Sequence, residues 1–268
     1  MWKNDFLLVE ATEESPSNAN FYLHTHDHYE ILFFLQGDSK FVIDGKNYIL
    51  ESGDIIVVRK NEMHRVYHNS SAKYHRIILY INPIFFANHN CTDYEIQFAN
   101  PQAYIGNQIK ADYVRSSGLY NAFTRLRKYT QNYSMTNGAI VDAIITEIIY
   151  LINHIGNFST SNEYNNQVEK IISYINNHYT EEINLEILEK NFFISKQYLC
   201  KIFRKATGLT VHDYIIRKRI TRVRELCATQ KNISDAAMLS GFSDYSSFYR
   251  TYKKLTGRSP KDDLFYIN

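Results

Sequence analysis

Four side chains near the N-terminal end have the types and spacing of a ligand-binding or metal-binding site. His24 and His26 alternate along one short segment, Glu30 follows four residues later, and His64 comes ten residues after a Gly-Asp pair. Two imidazoles on one face of a strand, with a carboxylate nearby, suit Fe, Mn, Ni or Zn. The same groups can instead border a pocket for a small organic ligand.

Two segments near the C-terminal end repeat a pattern that is suited to reading DNA. Asn184–Gly208 and Asn232–Gly257 each predict a short helix, a break, a polar N-cap and a second helix that ends at glycine. Ser195 and Asp244 are suitable N-caps, because their side-chain oxygens can accept hydrogen bonds from first-turn amides. This is the layout of a helix-turn-helix unit whose second helix lies in the major groove.

The outward faces of the two second helices carry the side chains that we expect to contact DNA. Cations suit phosphates and guanine, amides and hydroxyls suit base edges, and an aromatic ring can contact a thymine methyl. The candidates are Ser195, Lys196, Gln197, Cys200, Lys201, Arg204, Lys205, Ser243, Asp244, Tyr245, Ser246, Ser247, Tyr249, Arg250, Lys253 and Lys254. The predicted inward faces are Leu199, Ile202, Phe203 and Ala206, and then Phe248, Tyr252 and Leu255.

A third helix is predicted between the two units, over 211–229. Ile216, Ile220, Val223 and Cys227 give it an apolar stripe. Its length of about 28 Å is close to the roughly 34 Å after which DNA repeats its major groove on one face. We therefore expect this helix to hold two recognition helices near one turn of DNA apart.

Charge is distributed unequally along the 268 residues. Residues 1–166 carry 13 Lys and Arg against 17 Asp and Glu, whereas 167–268 carry 17 against 11. The stretch 196–224 alone holds nine cations and one acid. This asymmetry favours a C-terminal half that binds a polyanion. The three cysteines lie far apart and indicate neither a disulfide framework nor a zinc knuckle. With no signal peptide or membrane-spanning run in the sequence, we expect a cytoplasmic protein without a membrane partner.

The pattern of elements predicts an α+β protein with several domains. Residues 1–112 are predicted to be a β-rich domain, either a sandwich or a small barrel, 113–156 a helical dimerisation segment, 157–166 a polar linker and 167–268 an all-α domain. The expected strands are 30–36, 40–43, 46–50, 54–58 and 76–81, with a further candidate at 104–109. Asp44-Gly45 predicts a hairpin turn. The apolar stripes of the dimerisation segment can pack on the barrel, form a dimer seam, or do both.

Residues 168–262 resemble the DNA-binding domain of the AraC/XylS regulators. The resemblance rests above all on Ile233, Ala237, Gly241-Phe242-Ser243-Asp244, Ser247-Phe248, Tyr252, Lys253-Lys254, Gly257 and Ser259-Pro260. It implies sequence-specific binding to a promoter or operator, a homodimer, and RNA polymerase as a further partner.

Three positions depart from this family pattern. Glu189 stands where a small Ala is usual, Phe193 where Gly is usual, and Asp263-Leu264 where an aromatic-Arg pair is usual. A bulky residue at positive φ is strained. We therefore expect a reshaped first turn and sequence preference concentrated under the second recognition helix.

The N-terminal histidine pattern, with Gly37 and Gly53-Asp54, resembles the two motifs of cupin barrels. In metal-binding cupins, the resemblance implies that His24, His26, Glu30 and His64 ligate one divalent ion. Sensor barrels of AraC-type regulators often share the pattern without needing a metal. We therefore assign these four residues to a pocket for a small-molecule effector and assert no metal or cofactor. Two other histidines, His28 and His68, are expected at the surface or at a strand edge, and Tyr29, Phe33, Tyr48, Tyr67 and Tyr80 in the core.

Three functions compete. The first is a ligand-responsive transcription regulator without enzymatic activity. The second is a metal-dependent cupin enzyme, and the third is a constitutive DNA-binding protein whose barrel only dimerises. The basic repeat favours the first over the second, because a catalytic cupin has no use for two helix-turn-helix units. Ligand-dependent DNA affinity separates the first from the third.

Overall fold

The computed structural model describes residues 5–99, 106–130, 138–154, 166–228 and 232–264. Within these residues the N-terminal part is rich in antiparallel strands and the C-terminal part is helical. The strands are β1 (Phe6–Glu13), β2 (Tyr29–Gln36), β3 (Ser39–Ile43), β4 (Lys46–Ile49), β5 (Ile55–Val58), β6 (His64–His68), β7 (Tyr74–Ile81) and β8 (Gln108–Ile109).

The strands form two sheets, in the orders β1-β7-β2-β5-β8 and β4-β3-β6. The central strand β2 is buried on both faces, which explains its continuous apolar sequence. Leu32 and Phe34 pack in a core that includes Phe41, Ile43 and other side chains of the smaller sheet. No ladder joins the two sheets within the described ranges, so the domain is a pair of facing sheets. An isolated bridge pairs His24, in the segment before β2, with His64 of β6.

Helices cover the outer face of the larger sheet. They are α1 (Ile84–Asn88), α2 (Thr92–Ala99), α3 (Ala111–Ser116), α4 (Leu119–Thr130) and α5 (Gly138–His154). The buried faces of α4 and α5 share one core with Ile31 and Phe33 of β2. Of the two roles open to these apolar stripes, packing on the sheet is confirmed. The dimer seam stays a prediction.

The C-terminal part consists of α6 (Asn166–His178), α7 (Leu185–Phe192), α8 (Lys196–Thr207), α9 (Val211–Ala228), α10 (Ile233–Leu239), α11 (Tyr245–Thr256) and α12 (Pro260–Leu264). They build two cores with α9 as the shared element. Val211, Tyr214 and Ile215 belong to the first core, whereas Ile220 and Val223 belong to the second. The predicted connecting helix is confirmed at 18 residues.

The β3–β4 hairpin lies against the C-terminal helices. Asp44, in its turn, accepts hydrogen bonds from the Tyr214 hydroxyl and from Asn176 Nδ2, the latter at 3.1 Å. Beside it, Asn61 Nδ2 donates to Glu225 Oε1 at 2.7 Å, and Lys218 Nζ donates to the Asn61 carbonyl. The hairpin turn that the sequence predicts is therefore also a contact between the two parts.

The elements predicted from the sequence agree only in part with those of the structure. The five firmest strands are confirmed to within two residues at each end, but β1 and β6 were missed, as were α1 and α2. The candidate strand at 104–109 is reduced to Gln108–Ile109 within the described part. The linker lies almost wholly outside the described residues, and the domain boundaries stay predictions.

Candidate DNA-binding surface and ligand cavity

The recognition helices α8 and α11 begin and end in the same way. Ser195 Oγ accepts a hydrogen bond from Tyr198 N at 3.3 Å, and Asp244 Oδ1 accepts one from Ser247 N at 2.7 Å. Each helix ends at a glycine with φ near 75°. These caps satisfy amides and carbonyls that a helix leaves without partners, so both helices have defined lengths.

The exposed face of α8 is strongly basic. Lys201, Arg204 and Lys205 are exposed, and none of their charged groups has a partner among the described residues. Gln197 and Cys200 are exposed beside them, while Lys196 is paired with Glu186. This face therefore offers several free cations to a phosphate backbone.

The exposed face of α11 is more polar than basic at its start. Tyr245 and Ser246 are exposed, Ser247 and Tyr249 are half-buried, and Arg250 Nε donates to the Ser246 carbonyl at 3.3 Å. Two further cations, Lys253 and Lys254, are exposed near its end. The inward prediction for Leu255 is wrong: 39% of this residue is exposed, because it is the second-last residue of the helix.

Four of the five cations of α9 have partners inside the protein. Lys218 is 5% exposed, and Arg219 donates hydrogen bonds to the carbonyls of Tyr179 and Glu181. A third cation, Arg224, is paired with Asp263 at 2.9 Å. The dense positive charge of the sequence between 196 and 224 therefore overstates what is available to DNA, and the free part of it lies on α8.

The first turn keeps a left-handed backbone despite its bulky residue. Phe193 has φ 54° and ψ 41°, and its side chain is 92% exposed. The turn of the second unit has Gly241 at φ 93°. Glu189, the other departure in this unit, accepts a hydrogen bond from Lys196 N at 3.2 Å and so acts as an additional cap for α8.

In the N-terminal domain a cavity of about 200 Å³ lies between the two sheets. His24, Glu30 and His64 line it, and His26 lies next to Glu30. The structure thus brings the four sequence-predicted residues together. Of the two positions expected for His68, the strand edge is confirmed, because β6 is the edge strand of the smaller sheet. The surface position is wrong: the residue is 4% exposed, because it lies on the inner face of β6. Among the aromatic residues expected in the core, Tyr67 is 41% exposed and Tyr80 lines the cavity.

Sequence reasoning missed the side chains that β7 contributes to this cavity. Tyr74, Arg76, Ile78 and Tyr80 all line it. The signal was present in the sequence, because a period of two places these four residues on one face of the strand. A cation inside that inward-facing row was the feature to notice.

The three imidazoles of the cavity are oriented alike. The Nδ1 atom of each ring lies 2.9–3.0 Å from a backbone carbonyl oxygen. The partner is Tyr22 O for His24, His28 O for His26 and Glu62 O for His64. Such a contact requires the proton on Nδ1, so in a neutral ring Nε2 is left as an acceptor. His26 Nε2 is 3.1 Å and His64 Nε2 is 3.5 Å from Glu30 Oε2.

Burial and mutual contact set the charges in this cluster. Burial lowers the pKa of His26 to about 4 and also lowers the pKa of His24. Burial by itself would raise the pKa of Glu30, but the hydrogen bond with His26 and the nearby His64 ring outweigh it and hold this pKa below its usual range. Burial opposes protonation of His64, yet Glu30 raises the pKa of this imidazole. Because Nδ1 carries a proton in each ring, Nε2 can donate to Glu30 only in an imidazole that is protonated on both nitrogens, and of the two rings that contact Glu30 it is His64 whose pKa is raised.

This donor set fits a divalent metal ion. His24, His26 and His64 each offer a ligand atom, and these atoms lie within 4.8 Å of one another. Imidazoles that hydrogen-bond backbone carbonyls through the other ring nitrogen are typical metal ligands, and Glu30 is the adjacent anion. A bound ion would supply a Lewis-acid site for an oxygen or nitrogen atom of a ligand.

Two family descriptions match the chain. The AraC-like ligand binding domain matches residues 6–127, and the helix-turn-helix domain matches residues 188–264. Together they span more than half of the chain. Within the described residues, no helix combines the length and apolar character needed to cross a membrane.

Individual proteins resemble the chain over most of its length. The uncharacterized HTH-type transcriptional regulator YdiP of Escherichia coli strain K12 is 24% identical over 255 residues, which is 89% of this chain and 79% of that protein. The HTH-type transcriptional activator RhaS of Escherichia coli strain SE11 is 22% identical over 257 residues, 94% of this chain and 90% of that protein. A solved structure, apo ToxT K231A from Vibrio cholerae strain SCE256, is 17% identical with 99% of each chain covered and a TM-score of 0.41. The chain thus belongs to the AraC family of transcription regulators, with an N-terminal ligand-binding domain and a C-terminal helix-turn-helix DNA-binding domain.

Proposed function

We propose that this regulator reads two successive major-groove segments with α8 and α11 and that an effector in the N-terminal cavity changes its affinity for DNA. One observation carries the proposal: two equally capped helices with exposed polar and basic faces lie at the two ends of α9. An 18-residue helix is about 27 Å long, close to the repeat of the groove on one face of DNA.

The exposed side chains divide by chemistry into two groups. Lys201, Arg204 and Lys205 of α8, with Lys253 and Lys254 after them, suit phosphates. The polar and aromatic side chains suit base edges, and Arg250 suits guanine or a phosphate. We assign the remaining contacts to Ser195, Lys196, Gln197, Cys200, Ser243, Asp244, Tyr245, Ser246, Ser247 and Tyr249. The caps Ser195 and Asp244 also fix where each helix begins.

The segment 22–25 connects the cavity with the DNA-binding part. Tyr22 and His24 line the cavity, and with Thr25 they also line a cleft against Arg217 and Thr221 of α9. A ligand that displaces this segment changes what α9 contacts. We therefore infer that effector binding alters the relative stability of the contact between the domains, which is the differential interaction that a conformational response requires.

The remaining assignments follow from this role. We propose a homodimer, since paired half-sites reflect the two-fold symmetry of the protein. RNA polymerase is proposed as a further partner, the cytoplasm as the place of action, and the cavity as a binding site without catalysis. His24, His26, Glu30 and His64 are proposed to contact the effector.

Selection from a random double-stranded DNA library tests the proposal. We expect one enriched motif with two informative segments about one helical turn apart. Affinity for that motif should fall linearly as the logarithm of salt concentration rises, because phosphate contacts release counterions. Absence of an enriched motif, or a salt slope near zero, would contradict the proposal. Affinity that no cavity ligand changes would favour the constitutive alternative.

A further inference from the structure

The cavity between the sheets contains a cation whose hydrogen-bonding capacity is not used. Arg76 lies on the inner face of β7, and its side chain is 12% exposed. Its Nη1 atom is buried and has no hydrogen-bond partner among the described residues. A guanidinium carries five N–H donors, and a buried donor without a partner is costly.

The other contacts of Arg76 leave this donor free. Its guanidinium stacks over the rings of Tyr74 and Phe21, with centroid distances of 4.5 Å and 5.5 Å. These cation–π contacts supply no hydrogen-bond acceptor in the plane of the N–H groups. Glu13 Oε1 is 3.8 Å from Nη2, and the Glu13 side chain is 46% exposed, so this ion pair is long and screened.

Among the described side chains that line the cavity, the one acid is already used elsewhere. In the ladder between β2 and β7, Glu30 pairs with Tyr80. Tyr80 is four residues from Arg76 along β7. At about 3.4 Å per residue, the backbone of Glu30 is about 14 Å from that of Arg76. Glu30 contacts the imidazoles of His26 and His64 at its own end. A second cation, Arg65, also lines the cavity and has a buried Nε without a partner.

The wall around Arg76 is apolar and aromatic. Phe21, Phe41, Tyr74 and Ile78 line the cavity beside it. At about 200 Å³, the cavity is smaller than the roughly 300–1,000 Å³ of pockets for drug-sized ligands. It therefore suits a small molecule with one anionic end and an apolar body.

We propose that the effector is a small organic acid whose carboxylate binds Arg76 and whose apolar part lies among these aromatic rings. Guanidinium and carboxylate groups match in a planar, two-bond geometry. The inference rests on the proposed function only in treating this cavity as the effector site. It names the chemical class of that effector.

Calorimetric titration of the full chain with matched probes tests the inference. The probes are benzoate and hexanoate, each compared with its neutral amide, benzamide and hexanamide. We expect at least one acid to bind at least tenfold more tightly than its amide. Arg76→Gln should weaken the binding of that acid at least tenfold, because the charged hydrogen bonds are lost. Lys73→Gln removes a cation that forms a surface ion pair with Glu14 and should leave the affinity unchanged.

Three results would overturn the inference: equal affinity for acid and amide, equal affinity of the wild type and Arg76→Gln, or no binding of either acid. Circular dichroism checks the fold of each variant. If Arg76→Gln does not fold, Arg76→Lys is titrated instead; a drop in affinity is expected, and unchanged affinity counts against the inference.

DNA binding by the same preparations separates the two proposals. Specific DNA binding without any acid binding removes the inference and leaves the proposed DNA reading intact. If the acid binds but DNA affinity does not change, the anion site at Arg76 stands and the proposed effect of the ligand on DNA binding is wrong.

Discussion

The two helix-turn-helix units differ most at their turns, although their recognition helices are capped alike. In the second unit, a Cβ on Gly241 would lie 2.6 Å from the Thr180 carbonyl oxygen and 2.9 Å from Arg219 Nε. In the first unit, Phe193 adopts the same left-handed region with 92% of its side chain exposed. The second turn is packed against the turn that follows α6 and against α9, whereas the first faces solvent. Sequence variation at a turn is therefore tolerated where nothing packs on it.

The largest effect is expected from Gly241→Ala. The new Cβ meets backbone and adopts positive φ, and we expect a loss of about 2–4 kcal/mol in the free energy of unfolding. Gly208→Ala is the matched control, because Gly208 also has positive φ but nothing lies within 4 Å of a Cβ there; its cost should be about 1 kcal/mol. Urea unfolding measures both. Equal losses would contradict the difference in packing between the turns.

The next largest effect is expected on the DNA sequence preference of the two recognition helices. The α8 face is richer in free cations, whereas α11 offers hydroxyl groups and Arg250, so we still expect sequence preference to be concentrated under α11. Arg250→Ala should cost about 1–3 kcal/mol of discrimination at its base pair, and Lys205→Ala should weaken all sites evenly and flatten the salt slope. Competition binding with every base pair of one site substituted gives the comparison. Equal or greater penalties under α8 would contradict it.

A smaller effect is expected from Glu189→Ala. This side chain caps the Lys196 amide in the first unit, so its loss should lower the free energy of unfolding by about 1 kcal/mol, the usual value of a cap. Glu186→Ala removes an exposed acid of the same helix, paired with the Lys196 side chain, and serves as the control; its loss should cost less, because solvent screens an exposed ion pair. Thermal unfolding distinguishes them, and identical shifts would exclude a capping role for Glu189.

The smallest effect is expected from Phe193→Gly. Relief of the left-handed strain is worth about 1–2 kcal/mol, and the added freedom of the unfolded chain offsets about 0.5–1 kcal/mol. A net gain in stability of about 0–1.5 kcal/mol should result, with DNA affinity unchanged. A fall in DNA affinity with intact stability would show that the exposed ring is itself a contact.

Local sequence patterns predicted most of the helices of the C-terminal part and the five firmest strands. The N-caps Ser195 and Asp244 and the stripe of α9 follow from helical spacing, and the firm strands follow from short apolar runs bounded by turns. The missed strands β1 and β6 have mixed sequences, FLLVEATE and HRVYH. Such segments become strands because neighbouring strands offer them backbone partners, which no local pattern records.

The sequence by itself determined the DNA-binding repeat, since spacing along a helix decides which side chains share a face, and its resemblance to the cupin motifs grouped His24, His26, Glu30 and His64. Only the tertiary structure decided which charges are free. Lys218 and Arg224 are paired with residues distant in the chain, whereas Arg76 has a hydrogen-bond donor without a partner inside the cavity. The availability of a charge depends on partners that folding brings together, so composition alone cannot reveal it.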